Sequence, residues 1–148
     1  MVLGVLEYSS IAIGIKALDE MVKIAPVRII EARTLCPGKY LIVFKGYETG
    51  KNFIVDSLFL PMVHPDVIPA IGNVVATDDW NAIGIIETLS VVSGIEAGDL
   101  AAKTGNVKII EIRLAIGFGG KSYVKMQGTL DAMEVAMEAG TAKARSKD

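Results

Sequence analysis

The stretch Thr34-Leu35-Cys36-Pro37-Gly38-Lys39 holds the only cysteine of the 148-residue chain, where one apolar run ends and the next begins. Pro37 fixes φ and removes a backbone donor, and Gly38 permits positive φ, so the stretch reads as a tight loop with a sulfur at its tip. A thiolate binds metals or attacks electrophiles. One thiol per chain is too few for an intrachain disulfide or metal site, so metal chemistry at Cys36 needs further copies supplied by symmetry. A catalytic thiol needs a base beside it. His64 is the only histidine, lies between Val63 and Pro65 at a strand exit, and nothing places it near Cys36. It reads as structural. The plainer reading of Cys36 is a small buried apolar residue.

Other chemistry-bearing residues recur in pairs. Glu7 and Glu87, and Asp19 and Asp99, occupy matching places. Paired carboxylates suit acid–base work, but the two aspartates fall mid-helix, where a role in the fold is the simpler expectation. The loop Ile116-Gly117-Phe118-Gly119-Gly120-Lys121 is rich in glycine. Such a loop can turn N–H groups toward a phosphate at a helix start. Here it joins two strands, so a hairpin connection fits better. No nucleophile, base and orienting group converge, and an enzyme is not expected.

The elements that must position these residues follow from hydrophobic patterning. Val2 to Tyr8 is a short apolar run that reads as a buried strand. Ser9 or Ser10 can cap a helix with apolar residues at Ile11, Ile15, Leu18, Val22 and Ala25, one helix face, ended by Pro26. Val27 to Leu35 alternates as a strand, and Lys39 to Lys45 is another. Phe53 to Leu60 is a further strand. Pro61, Pro65 and Pro69 then punctuate a connector that runs to about Asp79.

From Ala82 the pattern repeats. At an offset of 80, thirteen of 32 positions between Val2–Arg33 and Ala82–Arg113 are identical, including Gly14/Gly94, Asp19/Asp99, Lys23/Lys103 and the Ile-Ile-Glu triplets at 29–31 and 109–111. After a two-residue insertion Gly38-Lys39 aligns with Gly120-Lys121. This is an internal duplication. Each copy reads strand–helix–strand–loop–strand, a ferredoxin-like α+β order, with the boundary near Thr77 and domains at 1–77 and 78–148. The second copy continues into a helix over Leu130 to Lys143. The first has only Tyr47 to Asn52 at that place, too short for a helix of that size.

Half of the residues are apolar. The mean hydropathy of +0.46 is high for a chain of this size. The longest run without a charged residue, Val67 to Thr77, contains Pro69 and Gly72, so a membrane span is not expected. No basic and then apolar leader opens the chain. A net charge of −2 leaves no footprint for nucleic acid. A single cysteine fits a reducing cytosol. Together these point to a cytosolic subunit that hides apolar surface by oligomerising.

The runs LGVLEY…GIKALDEMVKIAPVRII and IGIIET…GIEAGDLAAKTGNVKII resemble the bacterial microcompartment (BMC) shell domain. That family shows an apolar strand ending near Glu, a helix with Ala-x-Asp-x-x-x-Lys and a second apolar strand. Two copies in one chain resemble its tandem-domain members, and Cys36-Pro37-Gly38-Lys39 resembles the loop of the iron–sulfur-binding, T-type branch. The resemblance covers nearly the whole chain. It implies a pseudohexameric homotrimer that tiles edge to edge with other shell proteins around a cytoplasmic bacterial compartment, with encapsulated redox enzymes as further partners. It implies a central pore lined by Leu35, Cys36, Pro37, Gly38 and Lys39 and by Gly117, Phe118, Gly119, Gly120 and Lys121. It implies one 4Fe–4S iron–sulfur cluster per trimer, bound through Cys36 of each chain, for electron transfer across the shell or for cluster delivery. Lys23 and Lys103 match the family's edge lysines. Nucleic acid and membrane are not implied as partners.

Two further possibilities stay open. One is a pore tile without metal that passes small metabolites. The other is a tandem ferredoxin-like module that binds a small regulatory ligand. The chain also departs from the family pattern. The second helix of the first copy is nearly absent, the last strand of the second copy is missing, and no Arg-Pro pair follows the final strand.

Overall fold

The computed structural model describes residues 3–24, 26–45, 54–79, 81–117 and 119–146, with the backbone alone at 54–56. The chain forms two compact units that divide between Val63 and His64. The expected repeat boundary near Thr77 is a boundary of sequence. By contact, residues 64–77 pack with the second unit.

The first unit runs β1 (Leu3–Tyr8), α1 (Ile11–Ile24), β2 (Arg28–Leu35), β3 (Lys39–Lys45) and β4 (Ile54–Leu60). Its strands form one antiparallel sheet in the order β2-β3-β1-β4. Ser10 starts α1, with the Ile13 N–H directed at its hydroxyl at 3.5 Å. A side-chain oxygen at that place takes one of the donors that a helix start leaves free. The core is built from Leu6, Tyr8, Met21, Tyr40, Ile42 and Phe44, with Ile11, Ile13, Ala17 and Leu18 packed on it. Gly14 lets α1 lie on β3: a Cβ there would come 2.6 Å from Tyr40 Cβ.

Of the expected apolar stripe of α1, Ile11 and Leu18 pack on the core, and Ile15 and Val22 turn away from it. Gly14 and Met21 are buried, whereas Ile15 and Val22 remain 51% and 49% exposed. Close approach to Tyr40 decides the matter, because only a residue without a side chain fits there. Residues 46–53, where a second helix of the first copy was expected to be missing, lie outside the described residues.

The second unit contains α2 (Val67–Ala70), β5 (Ala82–Thr88), α3 (Val91–Gly105), β6 (Lys108–Arg113), β7 (Ser122–Gly128) and α4 (Leu130–Arg145). Its sheet order is β5-β7-β6. This is the first unit's order with no counterpart of β4 among the described residues. Ser90 caps α3 by accepting from the Ser93 N–H, and Thr129 caps α4 by accepting from the Ala132 N–H. Asn106 closes α3 in the left-handed conformation, with φ of 50°.

Helix α4 lies tightly on α3. A Cβ on Gly105 would meet Ala136 Cβ at 2.5 Å and the Ala132 carbonyl oxygen at 2.6 Å. Lys143 of α4 pairs with Glu96 of α3 at 3.0 Å. The connector punctuated by prolines is more structured than its sequence suggested. It holds α2, and it then runs along the edge of β6, where the Gly72 N–H donates to the Ile112 carbonyl and the Val75 N–H to the Ile110 carbonyl. Among the described residues, no helix is long and apolar enough to cross a membrane.

Candidate functional site

Strand pairing builds the Cys36 loop. Leu35 at the end of β2 is opposite Lys39 at the start of β3, so Cys36, Pro37 and Gly38 form a three-residue hairpin loop. Leu35 is buried and roots the loop. Gly38 has φ of +66° with open space around it, the conformation for which glycine is suited at this place. The Cys36–Pro37 peptide is cis. Cys36 is a free thiol, half-buried, between an exposed Pro37 and an exposed Gly38 on one side and buried Leu35 on the other. Cys36 is thus the first of the three loop residues, next to the end of β2.

The matching loop of the second unit is longer and wider. Leu114 and Ala115 are buried, and Ile116, Gly117, Gly119 and Lys121 face outward. Gly117, Gly119 and Gly120 have φ of +78°, +62° and +91°. Three such residues in one loop hold the backbone in a form that side chains resist. Phe118 lies outside the described residues.

Each loop is tied down at its C-terminal end by the same cross-strand pair. Lys39 Nζ lies 2.8 Å from Glu7 Oε1, and Lys121 Nζ lies 2.7 Å from Glu87 Oε1. Glu7 is opposite Leu41, and Glu87 is opposite Tyr123. Each lysine therefore sits two residues along from its glutamate's register partner, on the same sheet face, where diagonal neighbours meet. Their surroundings differ. The Glu7 side chain is fully buried and its Oε2 has no hydrogen-bond partner among the described residues, whereas the Glu87 side chain is 65% exposed. The sequence showed the recurrence of both residues. Their pairing needed the strand order.

The remaining candidates resolve into structural contacts. His64 donates its backbone N–H to Asp99 Oδ1 at 2.7 Å, and its Nδ1 accepts from the Asp66 N–H at 3.3 Å. Asp99 is buried and also pairs with Lys103. Asp19 and Lys23 form the same i,i+4 pair on α1 in solvent. Among the described residues, no group of three or more His, Cys, Asp or Glu side chains could hold a metal ion.

The face of β5 turned away from its helices is bare. Ile83 and Ile85 are 50% and 54% exposed, whereas Leu3 and Val5, at the same places in β1, are fully buried.

Each unit is thus an antiparallel sheet carrying helices, with a hairpin loop at the matching place. A model of the BMC domain matches residues 2–51 and 82–148. The chain belongs to that family, as a tandem member with two domains. It is 37% identical over 157 aligned positions, spanning 98% of this chain and 85% of its relative, to the bacterial microcompartment shell protein PduT of Citrobacter freundii. A solved microcompartment protein from Desulfitobacterium hafniense DCB is 39% identical, with a TM-score of 0.87 over 99% of this chain and 88% of its own. A fused, permuted hexameric shell protein from the RMM microcompartment shares the fold, with a TM-score of 0.66 at 15% identity over 97% of this chain and 81% of its own. As a microcompartment shell protein, the chain is structural rather than enzymatic and is part of the shell within the bacterial cytoplasm.

Proposed function

We propose that this shell protein forms a pseudohexameric homotrimer whose central pore brings together three Cys36 thiols. Its repeat units are taken as 1–77 and 78–148. The pore is lined by residues 35–39 of the first loop and 117–121 of the second, and Lys23 and Lys103 face neighbouring tiles. The observation that carries the trimer is the difference between equivalent strand faces. Leu3 and Val5 are covered, while Ile83 and Ile85 are bare. In a closed ring of repeated units, the bare face is covered by the next chain.

The cluster proposal rests on the Cys36 loop. Its half-buried thiol stands on a rooted hairpin. Lys39, three residues beyond Cys36, is engaged by Glu7. One thiolate per chain fits a three-fold site, and three thiolates fit a 4Fe–4S cluster that takes its fourth ligand from water or a small molecule. When bound, the cluster supplies one-electron chemistry. The chain's own part is to hold Cys36 at the tip and keep bulk away with Gly38. Electron transfer across the shell and cluster delivery to enclosed enzymes are both compatible with this arrangement. The similarity to the shell protein PduT of Citrobacter freundii supports the shell role in which such a pore would sit.

The test is an anaerobic iron and sulfide assay on the trimer, with its mass measured in the same sample. About four irons per three chains is expected, and Cys36→Ser should hold none. If that variant keeps as much iron as the parent, the cluster assignment is wrong, and a pore tile without metal takes its place. A ligand-dependent shift in stability without trimer formation would instead favour a small-ligand module.

A further inference from the structure

Of the two cross-strand ion pairs at the loop roots, only the one beside the thiol is closed off from water. The Glu7 side chain is fully buried and that of Lys39 is 18% exposed, whereas those of Glu87 and Lys121 stand 65% and 51% exposed. Glu7 Oε1 takes Lys39 Nζ, and Glu7 Oε2 has no hydrogen-bond partner among the described residues. The lysine compensates this carboxylate, and the carboxylate in turn cancels the lysine. Charges held away from water are only weakly screened.

Cys36 lies within reach of this balance. Lys39 is opposite Leu35, the residue before Cys36. An antiparallel pair spaces its Cα atoms by about 5 Å and one residue adds about 3.8 Å, so the Cα atoms of Cys36 and Lys39 stand within about 9 Å of each other. That is inside the Debye length of about 10 Å at 0.1 M salt. Three other charged residues hold register positions on this face of the sheet. Arg33 is opposite Leu41, Glu31 is opposite Val43, and Asp56 is opposite Glu7 on β4. Arg33 is exposed, so water screens its charge.

We infer that Glu7 is a positioning residue for the Cys36 site: through the buried pair it holds and cancels the Lys39 ammonium, so that no net positive charge bears on a ligand of the thiol. With Glu7 made neutral, Lys39 keeps its charge, and that charge then acts on Cys36 uncancelled. In a ring of three chains, three such ammoniums would surround three thiols. For a bound cluster the consequence is its potential. Reduction adds one negative charge at the thiolates, which an uncancelled ammonium favours. That consequence rests on the cluster reading given above, whereas the charge balance at Cys36 does not.

The test alkylates Cys36, the only cysteine, in the full chain freed of iron by a chelator. Iodoacetate is an anion and iodoacetamide is neutral. Both react with the same thiolate, so the ratio of their rates cancels the amount of thiolate and reads the local charge. At about 0.01 M salt, Glu7→Gln should raise the ratio of iodoacetate to iodoacetamide rates about twofold or more. Glu7→Asp keeps the charge and should leave the ratio near that of the parent. Glu7→Gln combined with Lys39→Gln should return it there. At about 1 M salt, where the Debye length is about 3 Å, the rise should vanish. Circular dichroism should show the variants folded. An unchanged ratio in Glu7→Gln at low salt overturns the inference. A rise that persists at high salt, or in the double variant, marks a rearranged loop and overturns it too. On iron-loaded protein titrated with dithionite, Glu7→Gln should have a more positive midpoint potential than the parent, and a more negative one counts against the inference in the same way. Failure of the cluster reading looks different: the parent then holds no iron, whatever the alkylation ratios.

Discussion

Lys39 Nζ and Glu7 Oε1 meet at 2.8 Å across the β1–β3 ladder, with the glutamate fully buried, whereas the equivalent Lys121–Glu87 pair at 2.7 Å stands in solvent. One sequence motif, duplicated, thus sits in two dielectric settings. Removing one partner of a buried pair leaves an uncompensated charge, while exposed pairs contribute little.

Lys39→Ala is therefore expected to destabilise the fold by about 3 kcal/mol, and Lys121→Ala by no more than about 0.5 kcal/mol. Urea denaturation of both variants, with the oligomeric state held the same, checks the contrast. Equal losses would mean that the burial of Glu7 has no energetic consequence.

Tyr8 carries a pH dependence. Its phenol is buried in the first unit's core, and its hydroxyl has no hydrogen-bond partner among the described residues. Burial, and then the charge of Glu20, raise its pKa above the usual 10.0. The folded state thus holds this proton more tightly than the unfolded state does. The resulting stability is present below the unfolded value and is lost as pH rises through the folded one. Tyr8→Phe removes both the titration and the unsatisfied hydroxyl. It should raise stability at neutral pH by about 1 kcal/mol and flatten the alkaline loss. Denaturation midpoints at pH 7 and above pH 10 decide this.

Gly105→Ala tests the α3–α4 contact. The added methyl would meet backbone atoms of Ala132 and Ala136, which cannot move aside as a flexible side-chain end can. A loss of about 2 kcal/mol is expected from overpacking. Thermal unfolding followed by circular dichroism would read it as a lower midpoint with the helical signal of the folded state retained.

Ile85→Glu tests the proposed ring. Ile85 is 54% exposed in the single chain, so the substitution should leave the fold intact. A charge placed on a face that the next chain covers should reduce the trimer to monomers, as read by native mass spectrometry. A trimer that persists unchanged would show that β5 is not at the interface.

Much of the organisation was legible in sequence. The offset of 80 gave the two copies, the element order followed from patterning, and the Cys36 loop was set by Pro37, Gly38 and the strands on either side. The choice of face on α1 was not legible. Periodicity marks Ile11, Ile15, Leu18 and Val22 as one stripe, but only Ile11 and Leu18 pack on the core, since the sheet takes the side with Gly14, where Tyr40 comes too close for any side chain. The edge contacts of Gly72 and Val75 were also hidden. Backbone donors in an irregular segment leave no periodic trace.

The amino-acid sequence by itself determined that the chain is a duplicated α+β unit with one thiol at a hairpin tip, because strand and helix periods and turn chemistry are local. Only the tertiary structure decided which copy of each shared residue is buried. Asp99 is covered and Asp19 is not, Glu7 is sealed and Glu87 is not, because burial depends on what packs against a residue and not on its neighbours in sequence. The duplication supplied two copies of each group, and the asymmetry of their surroundings buries one and exposes the other.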